Sequence, residues 1–202
     1  MSALLNDPFF MLLSAALIGA IGYNIWQVVY RDKAWKQVEA ETSLKFEERK
    51  KGKNRDQILG GVYHHRKLTL TDTNLPVFRN GKRKSDMLTS ASTNVHMALE
   101  NPKMLKLTLH RTTQIKRLNP IGVEEFDSRF NITCEPEPFA KSLLVSGKLR
   151  ERLQQLKPGC QIELNENELI YDQTGRLLAA DQIISLFDLM CALADTVEGW
   201  RA

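Results

Sequence analysis

The sequence has few features that mark catalysis. It contains no GxxxxGK[ST] phosphate loop, no GxGxxG turn after a strand and no GxSxG nucleophile turn. Its three cysteines, Cys134, Cys160 and Cys191, are far apart and form no CxxC pair, so neither a disulfide framework nor a zinc site is indicated. Buried, reduced thiols are expected, as in a cytoplasmic domain. We therefore predict a protein that is not an enzyme and that has no cofactor or metal site.

Charged residues are missing from one long stretch near the N-terminus, Pro8 to Tyr30. A helix needs roughly 20 mostly apolar residues to cross the hydrocarbon core of a bilayer. The stretch predicts one transmembrane helix over about residues 8–30, within a membrane anchor of residues 1–32. Trp26 and Tyr30 are amphipathic rings that suit the headgroup level of the membrane.

The basic residues that follow this stretch predict its orientation. Arg31, Lys33 and Lys36 come directly after it, whereas Asp7 is the only charged side chain before it. By the positive-inside rule, the N-terminus lies outside and residues 33–202 form a cytoplasmic domain. We therefore expect a single-pass membrane protein whose partner is the lipid bilayer.

Three other interpretations of the stretch compete with this one. A cleaved signal peptide would use Ala20 and Gly22 near a cleavage site, but no basic region precedes the apolar run. A core helix of a soluble domain would be shorter and less uniformly apolar. A lipid anchor is disfavoured because the chain starts with Met1-Ser2 and carries no CaaX box.

Small and amide side chains in the stretch favour contact with another membrane helix. Ala15 and Gly19 are four residues apart, which lets two membrane helices approach closely. Asn24 and Gln27 offer hydrogen bonds to such a partner. The alternative is that small residues are ordinary in membrane helices and that the two amides merely lie near the interface. We predict that these four residues contact a membrane-protein partner.

Charge is divided unevenly along the soluble part. Residues 45–120 carry 17 Lys or Arg against 6 Asp or Glu, whereas residues 121–202 carry 8 against 14. Anionic lipid attracts each nearby Lys or Arg by about 1 kcal/mol, so we predict that the basic half faces the membrane. The residues predicted to do so are Lys50, Lys51, Lys53, Lys82, Arg83 and Lys84. The alternative is a set of solvated loops balanced by the acidic helices; nucleic-acid binding is disfavoured because no aromatic residues are interleaved.

The basic half is predicted to be rich in strands. After a short helix over residues 34–42, residues 57–72 form a long β segment whose apolar residues change face, so a bulge or tight break is expected at His64-His65. A solvated turn or loop is expected over residues 50–55 and a longer loop over residues 74–89.

The clearest hairpin signal lies further along. Residues 94–100 and 104–110 each alternate apolar and polar side chains, and Asn101-Pro102 reads as the turn between them. We predict an antiparallel hairpin with one face toward the core and one toward water.

The acidic half is predicted to be mostly helical. After a short strand, two helices begin at Pro136 and are interrupted by Gly147, and residues 160–164 and 168–171 form a second hairpin. Asp181 is predicted to cap the last helix. The apolar stripe of that helix consists of Ile183, Leu186, Phe187, Met190, Leu193, Ala194 and Val197. The order of elements predicts an α+β domain, an antiparallel sheet with helices packed on one face.

Several of these residues together resemble an uncharacterised family of bacterial proteins. The pattern is Trp35 in a short helix, then Gly61-x-Tyr63-x-x-Arg66-x-Leu68-x-Leu70, then Phe126-Asp127-x-x-Phe130, then two helical stretches around a hairpin. The resemblance implies one N-terminal membrane helix and a cytoplasmic α+β domain over most of residues 33–200, and it implies no activity. The sequence departs from the pattern at His65, where glycine is expected.

Two groups of side chains are candidates for chemistry, and each has a simpler interpretation. His64, His65 and His110 would bind a metal only if a bulge turned one of the adjacent pair, since neighbours in a strand point to opposite faces; exposed histidines are the simpler interpretation. Asp127 would act as an acid or base, or it caps a turn or pairs with an arginine while the flanking phenylalanines fill the core. The cysteines have no histidine near them in sequence, which favours structural burial over a nucleophilic role.

The function predicted is that of a membrane-anchored accessory protein, a scaffold or assembly factor for a membrane complex. The alternative is a sensor module that binds lipid or an anionic ligand at the inner membrane surface, recognisable by salt-sensitive binding to anionic liposomes. A third hypothesis, an enzyme that uses Asp127 and a histidine, requires a pocket that joins those side chains.

Overall fold

The first element of the fold is one continuous helix. The computed structural model describes residues 8–51, 54–76, 78–79, 82–83, 89–112, 122–145 and 147–200. Helix α1 (Pro8–Glu41) joins the predicted membrane helix to the short helix predicted after it, because no proline or glycine interrupts residues 23–41. Among the helices formed by the described residues, none is both long enough and apolar enough to qualify as a membrane span.

The strands of the described chain form two antiparallel sheets. They are β1 (Lys45–Lys51), β2 (Asn54–Tyr63), β3 (Arg66–Pro76), β4 (Phe78–Arg79), β5 (Lys82–Arg83), β6 (Thr89–Ala98), β7 (Lys106–Arg111), β8 (Phe130–Glu135), β9 (Gln161–Asn165) and β10 (Glu168–Thr174). Eight of them form one sheet in the order β1-β2-β3-β6-β10-β9-β7-β8, and β4 pairs with β5.

Four further helices follow within the described residues: α2 (Glu124–Asp127), α3 (Glu137–Val145), α4 (Gly147–Gln154) and α5 (Ala180–Gly199). Buried and exposed side chains alternate along β9 and β10, so one face of the sheet lies in the core. All seven residues of the predicted apolar stripe of α5 are buried. The predicted α+β class, an antiparallel sheet combined with helices, is confirmed.

The break predicted at His64-His65 is confirmed as a tight turn. The two residues connect β2 to β3 and have positive φ angles of 44° and 68°. Two-residue hairpin turns of this hand match the twist of the strands they join. The chain reverses there, and Leu59 and Leu70 face each other across the two strands on the core side.

The loops predicted over residues 50–55 and 74–89 are shorter than expected. β1 continues to Lys51 and β2 begins at Asn54, so only residues 52–53, which lie outside the described chain, separate them. Part of the second predicted loop is taken up by the end of β3, by β4 and β5, and by the start of β6.

The hairpin predicted for residues 94–100 and 104–110 is wrong. Both strands form, as β6 and β7, but β6 pairs with β10 and β7 pairs with β9. The β9–β10 hairpin thus lies between two strands that were predicted to be neighbours. The Asn101 side-chain amide donates to the carbonyls of Leu105 and Glu166, so the connecting loop crosses the tip of that hairpin instead of turning tightly.

The capping position predicted for the last helix is also wrong. Helix α5 begins at Ala180, and Ala179 occupies the N-cap position without a side-chain hydrogen bond. Asp181 lies in the first turn, where a carboxylate still interacts favourably with the helix dipole. The remaining predictions for the acidic half are confirmed: two helices separated near Gly147, followed by the β9–β10 hairpin.

Candidate functional site

The N-terminal part of α1 exposes apolar side chains to an unusual extent. Eleven of the thirteen large apolar residues that are exposed in the described chain belong to it. They are Met11, Leu12, Leu17, Ile18, Ile21, Tyr23, Ile25, Trp26, Val28, Val29 and Tyr30. They lie around the helix and not along one stripe, unlike those of a helix with one face on a core. An apolar surface of this size marks contact with lipid or with another protein.

The C-terminal part of α1, by contrast, belongs to the domain core. Ala34, Trp35 and Val38 are at most 5% exposed. The Trp35 ring packs edge-on against Phe46, with 5.7 Å between the ring centroids. The helix changes from exposed to buried at Arg31, which is the first charged residue after the apolar stretch.

Arg31 belongs to a buried group of charges that we call the arginine–aspartate clamp, composed of Arg31, Asp72 and Arg176. Arg31 Nη1 and Arg176 Nε each donate to Asp72 Oδ2 at 2.9 Å. The three side chains are 9%, 3% and 10% exposed, respectively. Arg31 also donates from Nε and Nη2 to Asp32 Oδ1, and Arg176 Nη1 approaches Gln27 Oε1 at 3.4 Å.

The clamp joins three segments that are far apart in the sequence: α1, β3 and the connection between β10 and α5. Asp72 Oδ1 has no hydrogen-bond partner among the described residues, so one carboxylate oxygen serves both arginines. Removal of one partner from a buried ion pair leaves an uncompensated charge and costs about 3–5 kcal/mol. The clamp therefore fixes the direction of α1 relative to the sheet at the point where its exposed segment ends.

The direction of α1 along the sheet follows from two contacts. Arg31 reaches Asp72 in β3, and further along the chain Leu44 lies against Gly61, whose partner in β3 is Leu68. The chain from Arg31 to Leu44 thus runs from the Asp72 end of β3 toward its start. The exposed segment of α1 must extend past the opposite end, where β3 finishes.

Basic residues lie at this same end of the sheet. β1 finishes and β2 begins there, because the pairing of β2 with β3 starts at Gln57 and Asp72. The short strand β5 follows β3 there. Of the predicted basic set, these strand ends hold the backbone of Lys50, Lys51, Lys82 and Arg83. Lys53 and Lys84 lie outside the described residues.

The four residues predicted to contact a partner helix do not share one environment. Ala15 and Gly19 are exposed on α1, and no other heavy atom lies within 4 Å of the position that a Cβ on Gly19 would take, the helix backbone aside. Asn24 lies in the helix, and its side chain is not among those described. Gln27 is partly buried and faces Arg176 of the clamp.

The residues that carry the family resemblance join the β2–β3 hairpin to α5. Tyr63 Oη donates to Asp188 Oδ1 at 2.7 Å, and Arg66 Nη2 donates to carboxylate oxygens of Asp195 and Glu198. Burial, together with the hydrogen bond to Asp188, raises the pKa of Tyr63. These contacts join the β2–β3 hairpin of the basic half to helix α5 of the acidic half.

The glycine in the same pattern has a steric role. A Cβ on Gly61 would lie 3.2 Å from the Leu44 backbone, so a side chain there would push apart the start of β1 and the end of β2. Phe126 and Phe130 are at most 2% exposed and stack with 4.6 Å between ring centroids. Gly61, Phe126 and Phe130 therefore serve the packing of the domain.

The three histidines do not come together as the metal site considered from the sequence. His64 and His65 form the β2–β3 turn, whereas His110 lies in β7, four strands from β3 and so about 19 Å across the sheet at 4.8 Å per strand. Asp127 Oδ2 accepts a hydrogen bond from the Gly122 backbone N–H at 3.0 Å, which is a turn cap. In the described ranges no three His, Cys, Asp or Glu side chains are grouped as metal ligands.

The three cysteines have the buried character that the sequence predicts. Cys160 and Cys191 are buried, Cys134 is partly buried, and all three are free thiols. Burial raises the pKa of each thiol, that of Cys134 to about 11. Because the thiolate is the nucleophilic form, these values favour unreactive thiols near neutral pH.

Asp72 and Gln173 are two of the buried polar residues of the described chain that were not predicted from the sequence. Both had a signal in the strand pattern. Asp72 lies two residues after Leu70 on β3, and Gln173 lies two residues after Tyr171 on β10. Side chains two apart on a strand share one face, so both point to the core. A polar residue at a core-facing strand position must find a partner or a ligand.

Comparison with known proteins does not place the chain in a family. No protein-family model matches it, and no curated protein or solved structure shows a significant match.

Proposed function

We propose that this chain is a membrane-anchored, non-enzymatic accessory protein that scaffolds a membrane complex or helps to assemble it. The observation that supports this most strongly is the exposed apolar segment of α1, held to a folded domain by the arginine–aspartate clamp. The anchor would cross the bilayer with its basic flank on the cytoplasmic side, so that the N-terminus lies outside and the α+β domain inside.

Length and aromatic placement support the membrane anchor. The uncharged stretch of α1 from Pro8 to Tyr30 rises about 34 Å at 1.5 Å per residue, close to the 30 Å of a hydrocarbon core. Trp26 packs against Tyr23 and Tyr30, with ring centroids 5.9 and 4.6 Å apart, which gathers three amphipathic rings near the basic flank. No helix of the described chain is both long enough and apolar enough to qualify as a membrane span. The support for an anchor therefore comes from the exposed apolar surface of α1.

The clamp supports a scaffold more than a simple tether. A flexible linker is sufficient to keep a domain near a membrane. Here α1 passes without interruption from its exposed segment into the core, and a buried ion group holds it at the boundary. A partner that binds both the anchor helix and the domain would therefore meet them in one fixed arrangement.

Purification of the tagged full-length protein in a mild detergent tests this proposal. We expect a membrane protein to co-purify in stoichiometric amount. Replacement of Gly19 by leucine should release that partner, because Gly19 lies in the small-residue face with Ala15. Ser14→Leu is the matched control, since Ser14 is also a small exposed residue of α1 but lies about 120° around the helix from the midpoint of Ala15 and Gly19. A protein that purifies alone, or two variants that behave alike, would contradict the scaffold proposal.

The alternative proposal, a sensor of anionic lipid or an anionic ligand, is supported by the basic end of the sheet. The Lys50→Glu/Lys51→Glu variant would weaken salt-sensitive binding to anionic vesicles, whereas Lys148→Glu, an exposed change in α4, would not. Equal binding of all three proteins to anionic and to neutral vesicles would eliminate this alternative.

A further inference from the structure

A groove lies between the end of α4, strand β10 and α5. Its volume is about 370 Å³, which is in the range of small-molecule sites. Part of its lining is apolar and consists of Leu156, Leu177, Leu186 and Leu189. None of the residues that line it belongs to α1 or to the predicted basic set.

A buried amide without a hydrogen-bond partner lines this groove. Gln173 is 2% exposed, and its Nε2 has no partner in the part of the chain that the structure describes. Tyr171 Oη donates to Gln173 Oε1 at 2.6 Å, which fixes the amide and leaves Nε2 as its free end. A buried N–H donor is costly when unpaired, so its place in the lining of a groove indicates that a ligand supplies an acceptor oxygen.

Charged residues on the walls of the groove indicate what else the ligand carries. Arg152 and Lys157 lie on the α4 side, and Asp181 and Asp188 lie on the α5 side. The walls approach each other where Arg152 Nη2 stands 3.9 Å from Asp188 Oδ2. Asp188 already accepts a hydrogen bond from Tyr63, which leaves Asp181 as the wall carboxylate best placed to meet a cation.

We propose that this groove binds a small amphipathic zwitterion of the apolar α-amino acid class. The carboxylate of the ligand would accept from Gln173 Nε2 and face the cationic wall. Its ammonium group would face Asp181, and its side chain would lie against the leucines. The inference does not rest on the membrane anchor, so either proposal can fail without the other.

Three small molecules of similar shape test the proposal on the full-length protein in a mild detergent. Leucine carries both charges, leucinamide lacks the carboxylate and 4-methylpentanoate lacks the ammonium group. We expect leucine to bind saturably in calorimetry and to raise the unfolding temperature, and we expect each analogue to bind roughly tenfold more weakly or worse. No binding of leucine at millimolar concentration, or equal binding of an analogue, would overturn the proposal.

Two pairs of variants locate the binding. Gln173→Met removes the donor at similar volume, and Gln161→Met makes the same change at an exposed site on β9; leucine binding should disappear only in the first. Lys157→Gln changes an exposed residue of the wall and leaves the core intact, with Lys148→Gln as its control. We expect weaker binding in Lys157→Gln alone. Wild-type affinity in both Gln173→Met and Lys157→Gln would show that leucine binds elsewhere and would refute the site.

Discussion

Replacement of Asp72 by asparagine tests the arginine–aspartate clamp directly. Asparagine keeps the shape and one acceptor oxygen but removes the charge that both arginines share. Arg31 and Arg176 are only 9% and 10% exposed, so their positive charge would remain in a site almost closed to water. Loss of one partner from a buried pair costs about 3–5 kcal/mol. Because Asp32 still balances part of the charge of Arg31, we expect the lower value, about 3 kcal/mol.

Thermal unfolding and hydrogen exchange of the full-length protein in detergent measure this effect. For a chain of this length, a loss of about 3 kcal/mol lowers Tm by about 6–12 °C. Exchange should rise first in residues 27–38, because the clamp holds that part of α1. Glu163→Gln makes the same chemical change at an exposed position of β9 and should stay within about 0.5 kcal/mol of the wild type. If Asp72→Asn is no less stable than this control, the clamp does not hold the helix.

Replacement of the whole clamp separates charge from packing. Arg31→Met, Asp72→Leu and Arg176→Met together remove every charge of the group and leave no buried ion unpaired. Apolar replacement of a buried ion group is often neutral or stabilising, so the triple variant should recover most of the stability that Asp72→Asn loses. A triple variant less stable than Asp72→Asn would mean that the destabilisation arises from packing and not from unpaired charge.

Three further predictions follow from local geometry. His65→Gly should raise the free energy of unfolding by about 1 kcal/mol, because φ at this position is 68° and glycine adopts that conformation without strain; an unchanged or lower value would contradict the turn. In a background without the native cysteines, a cysteine pair at His96 and Ile170, neighbours across β6 and β10, should form a disulfide, whereas a pair at His96 and Thr108, neighbours only in the predicted hairpin, should not. Stability should fall as pH rises from about 9 to about 11, because folded Cys134, with its pKa raised to about 11, keeps a proton that the unfolded chain loses; Cys134→Ala should flatten this fall in denaturant titrations, and an equal slope would argue against it.

Features that depend on residues close together in the sequence could be predicted from it. The change of face in residues 57–72 predicts the turn at His64-His65, because only a break lets both apolar sets reach one side of the sheet. The β9–β10 hairpin could be predicted because its two alternating strands are adjacent in the sequence and joined by a short loop. The stripe of α5 follows from helical periodicity, and all of it is buried.

Features that depend on residues far apart in the sequence could not be predicted from it. Alternation in β6 and β7 shows which side chains face the core, but it does not show which strand lies beside them, and β9 and β10 enter between the two. The side chain of Asn101 stabilises that arrangement through bonds to the distant hairpin tip at Glu166. The clamp is a similar case, because the partners of Asp72 are 41 and 104 residues away.

Alkaline extraction of membranes that contain the full-length protein is the most direct test of the central proposal, that α1 is a bilayer anchor. We expect the wild-type protein to stay with the membrane pellet. We expect Ile18→Lys to be released, because it places a charge in the middle of the apolar segment. Gln37→Lys, an exposed change in the part of the same helix that packs on the domain, should be retained. Release of the wild-type protein by alkali, or retention of Ile18→Lys, would contradict the anchor.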